Sequence, residues 1–348
     1  MMSIRLMVVD DSAFMRKIVS DAASNMPQVT LVGMARNGED ALEQIDRLKP
    51  DLITMDIEMP KMDGITALKQ VKDKYPHIEV VMLSSHSKEG SQVTMEALEL
   101  GALDFIEKSK DRGDLSGLRR ELEDKVEAYI TAKGIGKSHK VVKPGKPVEV
   151  RVKSSSSKKP VRAIVMGAST GGPKVLFQIV KNLPKTTNVP VFIVQHMPKG
   201  FTASFADRLN GECPLNVVEA EHGMRITPGT VYVAPGDYHM LVDGNEIKLT
   251  QTEKVHGVRP CADHTFESVT EKYQGDLLGI ILTGMGKDGA LGFKAMKEAG
   301  AYTLAQDQES SVVYGMPGNA VKMGVVDEIL TPDEIIKEIE KVVARPWK

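Results

Sequence analysis

Residues 161–180 read VRAIVMGASTGGPKVLFQIV. An apolar run, a glycine-rich turn and a second apolar run at helical spacing, with Pro173 near its start, predict a strand–turn–helix unit. The pattern continues downstream. VPVFIVQH (189–196), LLGIILTG (277–284) and AYTLAQ (301–306) are apolar runs, most of which enter glycine-rich turns or helical stretches. Such runs predict an α/β doubly wound, mainly parallel sheet over residues 161–348. Residues 215–249 differ. Their β-runs are short, and the turn DGN (243–245) between apolar flanks predicts an antiparallel hairpin.

The turn GASTGG (167–172) admits two chemistries. Ser169 beside unpaired N–H groups at a helix start suits a nucleophile with an oxyanion hole, and it suits a bound phosphate equally well. No GK[ST] follows, as a phosphate-binding Walker loop requires, and the G-x-G-x-x-G dinucleotide spacing is missing.

Upstream, IRLMVV (4–9), VTLVGMA (29–35), DLITM (51–55), IEVVML (78–83) and ALDFIE (102–107) alternate with amphipathic helical patterns. Five βα units predict a doubly wound (βα)5 domain over residues 1–133, ending in a helix at about 115–132. Between the two domains, KSHKVVKPGKPVEVRVKSSSSKKP (137–160) carries one acid and is rich in Lys, Pro and Ser. It has too little apolar surface to offset its ordering entropy, so residues 134–160 read as a basic, flexible linker.

Composition narrows the function. A formal net charge of −2 argues against a nucleic-acid partner, which a clearly basic chain would favour. No apolar stretch approaches the roughly 20 residues a membrane-spanning helix needs, and MMSIRLMVVDD is too short and too acidic to be a signal peptide. Cys213 and Cys261 lack metal-type spacing, which favours a reduced, cytoplasmic setting, and the lack of an apolar span argues against direct membrane insertion.

In the first domain Asp10 and Asp11 end the first strand, and Asp56 follows the third. A doubly wound sheet brings those ends to one edge, where three carboxylates need a hard divalent cation such as Mg2+. Ser84 ends the fourth strand and Lys108 follows the fifth, adding a hydroxyl and a cation and completing a phosphoryl site. On these residues, 4–109 resembles the response-regulator receiver domain. The resemblance implies phosphorylation of Asp56 by a histidine kinase, Mg2+ held by Asp10, Asp11 and Asp56, and a switch formed by Ser84, Phe105 and Lys108. Ser109 stands where that family usually has proline.

In the second domain His196 ends the strand after GASTGG, and Asp288 lies in the turn after LLGIILTG. Ser, His and Asp at three strand ends that can share one edge fit a nucleophile, a base and a group that orients the base. With GASTGG, QHMPKGFT (195–202) and LTGMGKDGA (282–290) together, the chain resembles the CheB family of chemotaxis response regulator methylesterases. The resemblance implies Ser169 as nucleophile, His196 as general base and acid, and Asp288 as its orienting carboxylate. It adds Thr170 as a hydrogen-bonding neighbour and the Met285 backbone as oxyanion donor. It also implies hydrolysis of glutamate methyl esters and deamidation of glutamines on methyl-accepting chemoreceptors, under control of the receiver and with no cofactor at the esterase site. Two other classes stay in view. One is an interaction protein that binds a partner or nucleotide through GASTGG without turnover. The other is a DNA-binding regulator, disfavoured because no helix-turn-helix pattern or basic face appears outside the linker.

Overall fold

The computed structural model describes residues 3–85, 87–108, 115–132, 134 and 160–345. The chain divides into two compact units, residues 1–138 and 139–348. Nearly all of the expected linker, and Ser109, lie outside the described residues.

The first unit alternates strands β1 (Ile4–Val9), β2 (Val29–Ala35), β3 (Leu52–Asp56), β4 (Glu79–Ser84) and β5 (Asp104–Glu107) with helices α1 (Ala13–Ser24), α2 (Gly38–Leu48), α3 (Gly64–Lys74), α4 (Lys88–Glu99) and α5 (Leu115–Ala132). The strands are parallel in the order β2-β1-β3-β4-β5. Chain direction across the sheet reverses between β1 and β3, so a crevice opens at their carboxyl ends. The first four helices start on a side-chain cap. Ser12, Asn37, Asp63 and Ser87 each accept a main-chain N–H from the first turn.

The second unit contains β6 (Ala163–Ala168), β7 (Val191–Gln195), β8 (Asn216–Glu219), β9 (Thr230–Val233), β10 (His239–Asp243), β11 (Glu246–Thr250), β12 (Leu277–Ile281), β13 (Tyr302–Gln306) and β14 (Glu328–Leu330). Its helices are α6 (Gly172–Lys181), α7 (Phe201–Glu212), α8 (Ala262–Tyr273), α9 (Ala290–Glu298), α10 (Met316–Met323) and α11 (Pro332–Val343). Seven strands form one parallel sheet, β14-β13-β12-β6-β7-β9-β8. The expected hairpin is β10–β11, turning at Gly244 and Asn245, and it forms a two-stranded sheet of its own. It is tied to α8, whose Thr265 hydroxyl donates to the Met240 carbonyl while Ser268 Oγ accepts the Val242 N–H. The short runs β8 and β9, by contrast, join the main sheet in parallel.

Strands β6, β7 and β12 are buried along their whole length, as both-face coverage by helices requires. One core cluster joins Val165, Phe192, Tyr232, Phe266 and Phe293, with Phe192 stacked on Tyr232 and Phe266 against Phe293. The chain runs from β6 to β7 on one side and returns to β12 on the other. The topological switch point therefore lies at β6, and the turn after it is GASTGG.

Candidate active site

In the first unit the β1 and β3 ends bring Asp10, Asp11 and Asp56 together, with carboxylate oxygens within 4.8 Å of one another. Asp10 and Asp56 are buried and Asp11 is exposed. The Lys108 ammonium lies 2.7 Å from Asp56 and 3.1 Å from Asp10 Oδ2. It approaches Asp10 off the hydrogen-bond direction, so this buried oxygen has no hydrogen-bond partner among the described residues. Burial pushes Asp56 up to about 6; Lys108 pulls against that shift and Asp10 adds to it. Burial also disfavours the Lys108 charge, but the two carboxylates outweigh it and tighten its hold on the proton. Three converging carboxylates, two of them buried, fit a hard cation.

Ser84 and Phe105 sit on the neighbouring strands. The Ser84 hydroxyl is engaged with the first turns of α4, 2.6 Å from Thr94 Oγ1 and 3.3 Å from the Gly90 carbonyl. Phe105 is buried, with the Lys125 ammonium 5.8 Å from its ring centroid. Lys125 is also paired with Asp104 at 2.8 Å.

In the second unit Ala168 pairs with Gln195 across β6 and β7, so Ser169 and His196 are the next residue on each strand. The His196 N–H donates to the Ala168 carbonyl. The Ser169 N–H donates to the Thr283 carbonyl at 3.0 Å, and the Thr283 hydroxyl donates to the Thr170 carbonyl at 3.0 Å. These bonds tie the turn after β6 to the end of β12. Close approach explains Gly284: a Cβ there would lie 2.8 Å from Ser169 Cβ. Gly171 takes φ +75°, which only glycine adopts easily, and lets α6 begin directly behind Ser169. The N–H groups of Thr170 and Met285 have no acceptor among the described residues. The Thr170 side chain is buried, whereas Met285 is exposed.

Asp288 is nearly inaccessible and accepts five hydrogen bonds. Oδ2 takes His196 Nε2 at 2.8 Å and the Ala262 N–H at 2.6 Å. Oδ1 takes the Cys261 thiol at 3.0 Å, the Asp263 N–H at 3.0 Å and the Gly289 N–H at 2.9 Å. Burial alone would raise this carboxyl, but the His196 contact and the other donors outweigh it and hold it far below the usual range. An ionised Asp288 can only accept, so His196 Nε2 carries the proton of that bond and Nδ1 is the nitrogen left to act. Behind it, the Asp263 carboxylate accepts the Gly292 N–H and lies 3.3 Å from His256 Nε2.

Gln195 and Cys261 are among the side chains here that the sequence did not assign to the site. Gln195 is buried and donates from Nε2 to both the Ser169 and His196 carbonyls, at 3.0 and 3.2 Å. Its position directly before His196 is the only sequence signal for it. Cys261 has even less, because only the start of α8, far from Asp288 in sequence, delivers it.

Residues 164–339 match the family described as CheB methylesterase, and residues 6–118 match the response regulator receiver domain. A protein-glutamate methylesterase/protein-glutamine glutaminase of Clostridium acetobutylicum is 42% identical over 99% of both chains. One of the same description from Methanococcus maripaludis is 41% identical over 98% of both. The crystal structure of the Thermotoga maritima CheB methylesterase catalytic domain is 41% identical with a TM-score of 0.50, covering 52% of this chain and 98% of that one.

Proposed function

The chain belongs to the CheB methylesterase family and carries a receiver domain ahead of the esterase domain, and from that premise we propose a phosphorylation-regulated serine esterase. It hydrolyses glutamate methyl esters on chemoreceptors, releasing methanol, and deamidates receptor glutamines. The observation that carries this reading is the 2.8 Å pair of His196 with an ionised Asp288, at the sheet edge where Ser169 follows β6.

Ser169 Oγ attacks the side-chain carbonyl of the modified glutamate, and its proton passes to His196 Nδ1. Asp288 stabilises the imidazolium that forms. The unpaired N–H groups of Thr170 and Met285 are available to the oxyanion. His196 returns the proton to the leaving methoxide or amide nitrogen as the tetrahedral adduct collapses, so methanol or ammonia departs and the same acyl-enzyme is left. Water, activated by His196, then releases the glutamate.

In the receiver, Asp10, Asp11 and Asp56 would hold a divalent cation such as Mg2+, which neutralises charge on the incoming phosphoryl group. Asp56 is the phosphoacceptor, a chemotaxis histidine kinase the donor, and Lys108 the cation that pairs with the new oxygens.

The test is methanol release from methylated receptor membranes, with and without phosphodonor. Ser169→Ala and His196→Gln should each lower kcat by at least about 10³-fold. Turnover by Ser169→Ala at the wild-type rate would overturn the assignment, and the absence of any turnover by the wild type would favour a binding domain.

A further inference from the structure

Cys261 is the N-cap residue of α8 and makes no side-chain cap to its own helix. Fully buried, it points its thiol instead at Asp288 Oδ1, 3.0 Å away. The first two N–H groups of α8, from Ala262 and Asp263, converge on the same carboxylate. Burial, followed by the neighbouring Asp288 charge, pushes the thiol far above its usual range, so it stays protonated and can donate. A free buried cysteine is ordinarily a small hydrophobe with no directed partner. This one is aimed at the carboxylate that holds His196.

We propose that Cys261 is a positioning residue for the esterase: its thiol, acting with the start of α8, fixes Asp288 and draws charge from it, and so sets the basicity of His196. The inference rests on the esterase reading of Ser169, His196 and Asp288. Its physical basis is competition for one carboxylate. Each donor on Oδ1 reduces the charge that Oδ2 presents to the imidazole. Removing a donor makes Asp288 hold an imidazolium more tightly. His196 then keeps its proton to higher pH, and the neutral base that Ser169 needs becomes scarcer near neutrality.

The experiment uses the full chain as wild type, Cys261→Ala and Cys261→Ser. Two quantities are read: the acid limb of kcat/KM for methanol release, and the NMR titration midpoint of the His196 imidazole, assigned against His196→Gln. Losing one weak donor to a charged acceptor should move both upward by about half a pH unit in Cys261→Ala. Cys261→Ser retains an O–H donor and should keep both at or slightly below the wild-type value. A purely packing role predicts no such difference between the two variants, because a buried hydroxyl would then be no better than a missing thiol.

Unmoved midpoints in Cys261→Ala, or an equal rise in Cys261→Ser, overturn the inference. Should Cys261→Ala not fold, Cys261→Ser decides alone: a midpoint at or below wild type supports the inference and a rise overturns it. If the wild type releases no methanol while the imidazole midpoint still shifts in Cys261→Ala, the esterase reading fails and the coupling of Cys261 to His196 stands.

Discussion

Asp288 can only accept, and every group around it donates: an imidazole, a thiol and three main-chain N–H groups. Asp288→Asn replaces one acceptor oxygen with an NH2 that must face donors whichever way the amide is turned. That variant should lose kcat by about 10³–10⁴-fold. It should also lose roughly 1–3 kcal/mol of stability, because buried donors are left unpaired. Kinetics and denaturant titration measure the two effects, and an unchanged denaturation midpoint would contradict the donor cage. Gly284→Ala should damage activity by another route, since its Cβ must displace Ser169. A drop of at least about tenfold is expected in single-turnover methanol release. The strand-end position of Ser169 and His196 was legible because each stands at the end of an apolar run, His196 one residue beyond it after Gln195. The surroundings of Asp288 were not. They depend on where α8 starts in space, and Cys261 is not a residue type that marks a helix cap in sequence.

At the scale of elements, the two units begin their helices differently. The first four receiver helices use Ser, Asn or Asp caps, whereas α6, α7 and α9 start on Gly171, Gly200 and Gly289, and α8 on Cys261, without a side-chain cap. Missing caps leave N–H groups free, and at α8 those groups hold Asp288. The capping box of α11, Thr331 with Glu334, follows β14, the edge strand three places from β6. Thr331→Ala should therefore cost about 1 kcal/mol in denaturant titrations of the esterase domain and leave kcat unchanged. On α5, burial pushes Glu121 up to about 7, against the pull of nearby Lys125 and with the help of Asp104 and Asp124. A raised carboxyl binds its proton more tightly in the folded state, so its contribution to stability falls as pH rises from about 4.5 through about 7. Glu121→Gln should match the wild type at pH 4 and exceed it at pH 8. Discounted for its partial exposure, the gain is about 1 kcal/mol. A gap that fails to widen with pH would count against this. The βα alternation of both units was legible from runs such as IEVVML and LLGIILTG. The parallel placement of β8 and β9 was not, since four-residue strands carry too few alternations to fix direction.

At the scale of the whole molecule, each unit buries a core of its own, so calorimetry of the full chain should give two transitions. Mg2+ should raise only the receiver transition, because it binds only the folded carboxylate cluster. One cooperative transition would refute independent cores. Control of the esterase by Asp56 predicts that residues 160–348 alone release methanol faster than the full chain without phosphodonor, and equal rates would remove the receiver as an inhibitor. No helix among the described residues is long and apolar enough to cross a membrane. The bare helix starts also bear on protein engineering. Gly171, Gly200 and Gly289 adopt positive φ, so a capping side chain cannot simply be written in at those positions. The esterase domain thus forgoes roughly a few tenths of a kcal/mol at each such helix, a small recurring cost of leaving these main-chain donors uncapped. A heat-resistant variant selected for tightened helix starts along this edge should come out slower, whereas hardening the opposite edge of the sheet leaves turnover intact.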